Sequence, residues 1–129
     1  MTTFPHVRLE YIGPGDSGRT RWLVIEEMHV AHPLLPVDYA TGALWETDLA
    51  SVPRMLLVWL LVGGDAPASG VVHDWLYRTG FLTRRYADQI FYDLIIREGY
   101  SAFKAWLMWS GVRAGGWVTW RKYRKGENK

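Results

Sequence analysis

Four residues in the second half of the chain have the types and spacing for acid–base chemistry: His73, Asp74, Tyr77 and Asp88. An imidazole beside a carboxylate can take a proton from water near neutral pH. The carboxylate fixes which ring nitrogen holds the proton and leaves the other basic. On a helical wheel of about 100° per residue with His73 at zero, Tyr77 falls at about 40°, Gly70 at about 60° and Asp74 at about 100°. Val71, Val72, Trp75 and Leu76 take the other side, at roughly 160° to 300°. One face is core; the other aims His, Asp and Tyr into one groove. Asp88 lies on the next helix at the edge of the apolar stripe Ala87, Ile90, Phe91, Leu94 and Ile95. A carboxylate at the border of a buried face needs a partner, because burying an unpaired charge is costly. If the two helices are antiparallel, the nearest partners are His73 and Tyr77. A plainer reading stays open: the same pair also serves as a satisfied polar contact in a core, and Asp74 also suits a solvated surface.

Those groups require two helices to hold them. Ser69 reads as the N-cap of the first, which ends near Thr79 with Gly80 just beyond. A second begins after Thr83 and closes at Glu98 and Gly99; a third runs from after Ser101 to about Ala114. The short linkers make the first two antiparallel neighbours. Upstream, Val7 to Tyr11 alternates with period two, and Trp22 to Ile25 is an apolar run of strand length. Gly13-Pro14-Gly15-Asp16 and Thr41-Gly42 are turn signals. From Pro53 onward the pattern is helical. The expected class is α+β, in a single domain over residues 1–129. A small N-terminal antiparallel β region (1–46) precedes a compact helical region with an antiparallel helix pair (47–116) and a basic tail (117–129). The segment Thr47-Asp48-Leu49-Ala50-Ser51-Val52-Pro53-Arg54 reads as a polar loop entering a helix, with Asp48 and Ser51 as capping groups.

The composition fits a packed domain. Of 129 residues, 49% are hydrophobic and 22% charged, which excludes intrinsic disorder. Eight Trp, seven Tyr and four Phe supply large rings to a chain with little volume. Cysteine is absent, so disulfides, thiolate metal sites and Cys nucleophiles are excluded. The net charge of +2 hides a split: residues 1–60 hold 4 Lys/Arg against 7 Asp/Glu, and residues 61–129 hold 11 against 6. The excess peaks at Arg121-Lys122-Tyr123-Arg124-Lys125, which suits an anionic surface and equally a solvated terminus. Met55 to Val62 and Trp106, Trp109, Trp117 and Trp120 have two readings. One is insertion into a lipid interface assisted by the basic tail. The other, core packing plus a protein–protein surface, is favoured, since so small a domain needs them inside. The N-terminus lacks a signal-peptide pattern. The longest apolar run, Met55 to Val62, has eight residues, whereas a membrane helix needs roughly 20.

Two resemblances add to this reading. Thr47 to Arg54, His73-Asp-Trp-Leu-Tyr-Arg78, and Arg84 with Ala87-Asp88 and Phe91 resemble a phage and prophage family of uncharacterised function. That resemblance implies a bacteriophage origin, synthesis in the host cytoplasm, virion association and phage structural proteins as partners. The second covers residues 69–98. His73-Asp74 with Tyr77 four residues after the His, then Ala87-Asp88 on the next helix, is similar to the active-site helices of phospholipase A₂. It implies that His73 activates water, Asp88 orients His73, and Tyr77 steadies Asp88. It also implies that Asp74 holds calcium together with carbonyls of a glycine-rich loop, for which Gly63-Gly64-Asp65 is the nearest candidate and Gly13-Pro14-Gly15-Asp16 a more distant one. Asp48, Ser51 and Arg84 are the supporting residues. The function expected is a phage-encoded phospholipase A₂-like hydrolase acting on phospholipid or a membrane surface. The alternative is a non-catalytic virion or tail-assembly component. A nucleic-acid binder ranks last, resting only on the basic tail and the aromatic content.

Overall fold

The computed structural model describes residues 9–14, 20–48 and 68–125. Three antiparallel strands come first: β1 (Leu9–Pro14), β2 (Thr20–Val24) and β3 (Trp45–Thr47), in sheet order β1-β2-β3. Among the described residues four helices follow: α1 (Ala68–Thr79), α2 (Arg84–Arg97), α3 (Ala102–Gly115) and α4 (Trp117–Arg124). The α+β class expected from the sequence is the class observed. Ser51, Met55 to Val62, Gly63-Gly64-Asp65 and Gly15-Asp16 lie outside the described residues.

β1 and β2 pair with Tyr11 opposite Trp22, and the register shifts before Gly13, whose φ is 100°. A left-handed glycine beside an extra residue makes a bulge. β3 pairs on the other side of β2, with Trp22 opposite Thr47 and Val24 opposite Trp45. Period-two alternation buries Thr47 and leaves Glu46 exposed. Residues 25–44, read from the sequence as part of the β region, instead form a loop with one isolated bridge between His29 and Ala40. Pro33 and Pro36 explain the difference, since proline cannot donate to a ladder.

Caps set the helix ends. Thr83 accepts from the Tyr86 N–H and Ser101 from the Lys104 N–H, so α2 and α3 begin where the sequence places them. Gly80 and Gly99 follow α1 and α2 with φ of 65° and 98°. Ser69 differs from expectation. It lies inside the first turn of α1, and its N–H donates to Glu98 Oε1 at 2.7 Å. A carboxylate from the end of α2 thus satisfies an N–H that would otherwise need an N-cap.

α2 is the central helix. Ala87, Ile90 and Leu94 pack with Val71, Val72 and Leu76 of α1 and with Val24, Met28 and Val30 from the N-terminal part. Phe91 and Ile95 pack with Ala105, Met108 and Val112 of α3. Each large apolar side chain fully buried here stabilises by about 1.5–3 kcal/mol. The stretch read as a basic tail is, through Arg124, helix α4. Its inner side carries the buried Tyr123 and Trp120, which packs against the core. The tryptophans are not all inside: Trp106 and Trp117 are 51% and 47% exposed.

The corner between α3 and α4 depends on Gly116. A Cβ there would stand 2.5 Å from the Val112 carbonyl oxygen and 2.6 Å from the Tyr77 hydroxyl. Gly116→Ala should therefore destabilise by about 1–3 kcal/mol through overpacking. The reading is a lower urea midpoint at unchanged slope. A variant as stable as wild type would show that this corner yields freely.

Candidate functional site

α1 and α2 are joined by the four residues 80–83, and this tight connection sets His73 and Tyr77, one turn apart, against Asp88. His73 Nε2 lies 2.6 Å from Asp88 Oδ1, and the Tyr77 hydroxyl donates to the same oxygen at 2.7 Å. An ionised carboxylate only accepts, so the His73 proton on this side sits on Nε2. The imidazole packs on Tyr77 and Phe91, with ring centroids 4.3 and 4.5 Å away. His73, Tyr77 and Asp88 are all fully buried.

The other carboxylate oxygen is served by arginines. Arg113 donates to Asp88 Oδ2 at 2.8 Å, and the Arg84 guanidinium stands 3.6 Å from it. Arg84 also donates to the carbonyls of Val112 and Arg113 at 3.1 and 3.3 Å, closing the end of α3. Burial alone would raise the Asp88 pKa. The hydrogen bond and charge of His73, with the donors Tyr77 and Arg113, outweigh burial and hold it below the ordinary 3.8. Burial, followed by the charge of Asp88, pushes the Tyr77 phenol well above its ordinary 10.0. At neutral pH the cluster thus holds an ionised Asp88 and a protonated Tyr77.

Asp74 does not join them. About 100° around the helix from His73, it meets a different set of neighbours. Thr47 Oγ1 of β3 donates to Asp74 Oδ2 at 2.7 Å, and the Tyr123 hydroxyl of α4 donates to Oδ1 at 3.1 Å. The Arg78 guanidinium is 3.8 Å away. Two hydroxyl donors and a cation around a fully buried carboxylate are the reverse of the oxygen cage that calcium takes. These neighbours do not fit calcium. Among the described residues, no group of three or more His, Asp or Glu could hold a metal. Burial, then the charge of Asp74 and more weakly that of Asp48, pushes the Tyr123 phenol far above 10.0. Asp48 therefore bears on this second cluster, and Thr47 serves as a strand residue rather than as part of a loop.

A further His–carboxylate pair went unread in the sequence. His32 Nδ1 accepts from the Leu34 N–H at 3.0 Å, which leaves Nε2 to donate to Asp93 Oδ2 at 2.7 Å. Both ring nitrogens are used, so this His is a tether between the 25–44 loop and α2. It borders a cleft of about 430 Å³ lined by loop residues between His29 and Asp38, none of them from the Asp88 cluster. Of the residues singled out from the sequence, the structure brings together His73, Tyr77, Arg84 and Asp88. It places Asp74 apart, and Ser51 lies outside the described residues. Arg113, Thr47 and Tyr123 were missed. Arg113 sits in the last turn of α3, where a cation ordinarily reads as a complement to the helix dipole.

The architecture and the site define an α+β protein with a buried His–Asp–Tyr–Arg cluster spanning three helices. The chain belongs to the family described as proteins of unknown function, DUF1353, whose model matches residues 22–112. That span includes His73, Asp74, Tyr77, Arg84 and Asp88 and stops one residue before Arg113. No curated protein and no solved structure matches the chain. Among the described residues, no helix is long and apolar enough to cross a membrane.

The depressed pKa of Asp88 has a direct consequence. Its contribution to stability is present above the unfolded value of 3.8 and is lost as pH falls toward the lower folded value. Arg113→Met removes one charge-assisted hydrogen bond and should cost about 1.5–3 kcal/mol at pH 6. The gap to wild type should close as pH drops through that window, followed by urea unfolding from pH 6 to pH 2. A gap unchanged at pH 2 would mean that Arg113 acts through some group other than Asp88.

Proposed function

We propose that this protein is an ester hydrolase of the phospholipase A₂-like kind, with His73 as general base and Asp88 and Tyr77 as positioning residues. One observation carries the reading: a single oxygen, Asp88 Oδ1, accepts from both His73 Nε2 and the Tyr77 hydroxyl. In this reading Nε2 donates to the carboxylate and Nδ1 is assigned the role of base. In this scheme Nδ1 takes a proton from water as the water oxygen attacks the ester carbonyl. The proton passes to the leaving alcohol oxygen when the carbon–oxygen bond breaks, and a carboxylic acid is released. Asp88 stabilises the transient imidazolium, and Tyr77 and Arg113 keep Asp88 ionised and in place. The substrate class is a phospholipid ester, and the host setting is a bacteriophage.

The complete enclosure of His73 favours a second reading. In it the cluster locks three helices of a non-catalytic protein, such as a phage virion or tail-assembly component.

One variant separates the two. Tyr77, Arg113 and Arg84 continue to serve Asp88 in His73→Gln, so the fold should survive with a loss below about 3 kcal/mol. If His73 is the base, hydrolysis of a fluorescent phospholipid should fall by roughly 10²- to 10⁴-fold. The assay is run with and without calcium beside a thermal melt. Wild-type protein inert on every ester phospholipid tried, in both conditions, would end the hydrolase reading and leave the lock.

A further inference from the structure

The outer side of α4 is a surface that the core does not use. Residues 101–125 contain Lys104, Arg113, Arg121, Lys122, Arg124 and Lys125, with no Asp or Glu. Two of these are committed inward: Arg113 to Asp88, and Arg124 to the carbonyls of Tyr77 and Arg78. Arg121, Lys122 and Lys125 are exposed. With Trp117 and Val118 they line an open depression of about 230 Å³. Trp117 is 47% and Val118 43% exposed. Large apolar side chains left in water beside cations mark a contact surface.

We propose that this face docks on anionic phospholipid, with headgroup phosphates among Arg121, Lys122 and Lys125 and with Trp117 and Val118 reaching the acyl boundary. Charge complementarity selects an anionic partner, since this stretch offers no carboxylate to a basic one. The apolar members select lipid over nucleic acid. Single-stranded nucleic acid is held by open aromatic faces on which bases stack. Here Arg121 lies over the Trp117 ring at 5.6 Å. Val118 has no ring to offer. Indole rings and aliphatic side chains above a basic rim are instead what the headgroup region of a bilayer accepts. The inference deepens the hydrolase reading by naming the surface that reading would work from, yet its test needs no hydrolysis.

The experiment is co-sedimentation of the full chain with vesicles of ether-linked phosphatidylglycerol or ether-linked phosphatidylcholine, whose chains carry no ester to cleave. Binding to the anionic vesicles and not to the zwitterionic ones is expected, weakening as salt rises. Each cation removed should weaken binding roughly fivefold, so Arg121→Gln, Lys122→Gln and Lys125→Gln together should weaken it on the order of 100-fold. Trp117→Ala, which leaves every charge in place, should weaken it independently. Three results would overturn the proposal: no sedimentation with anionic vesicles at low salt, a triple variant that binds as wild type does, or single-stranded DNA displacing the protein from the vesicles at lower charge concentration. Because the lipid cannot be cleaved, a protein that binds but proves inert on ester lipids refutes only the hydrolase reading.

Discussion

The carboxylate of Asp88 is a full charge in a place without water, and most of the helical packing follows from what that requires. A buried, unpaired carboxylate is too costly to keep. Asp88 is kept because donors reach it from the helices on either side, His73 and Tyr77 from α1 and Arg113 from α3, with the Arg84 charge of α2 itself 3.6 Å away. Moving any one helix strands a charge or a hydroxyl. Such a network adds little net stability over a well-packed apolar core. What it does here is penalise every packing that separates its members. Asp74 does the same for another set of elements, drawing Thr47 from β3 and Tyr123 from α4. Adjacent residues of α1 thus anchor the two ends of the described fold.

The legible part of the site was the part carried by neighbouring helices. His73 and Tyr77 are four residues apart, and a tight connection leads to Asp88, so wheel geometry and the cost of burial suffice to bring them together. The same wheel misled at Asp74. An offset of about 100° is too wide for one groove once elements pack on both sides of α1. Arg113 and Tyr123 lie 25 and 49 residues from their carboxylates, and no local period reports on a contact so distant. α4 was hidden by its charges. Four cations among Arg121 to Lys125 read as a solvated end, whereas Trp120, Tyr123 and Arg124 share the side that faces the core. The loop at 25–44 was hidden by short apolar pieces that resemble strands until the prolines are counted against them.

Protonation in the Asp88 cluster is divided by environment. The donors around Asp88 hold it ionised, and burial beside that charge holds the Tyr77 phenol neutral. Neither exchanges a proton near neutrality. Arg113 and Arg84 add to this by setting positive charge beside the carboxylate.

α4 links the interior to the outer surface. A helix of eight residues does not persist alone in water, because nucleation costs more than so few hydrogen bonds return. Its outward residues are therefore arranged only while its inward ones hold. Tyr123 is held by Asp74, and Arg124 by the last carbonyls of α1 while stacking on Trp120 at 4.4 Å. Gly80 leaves the room that the Arg124 guanidinium occupies, since a Cβ there would stand 2.7 Å from it. The order of the basic, aromatic face thus depends on hydrogen bonds at α1. Asp74, next to His73 in sequence, holds that face together with the carbonyls of Tyr77 and Arg78.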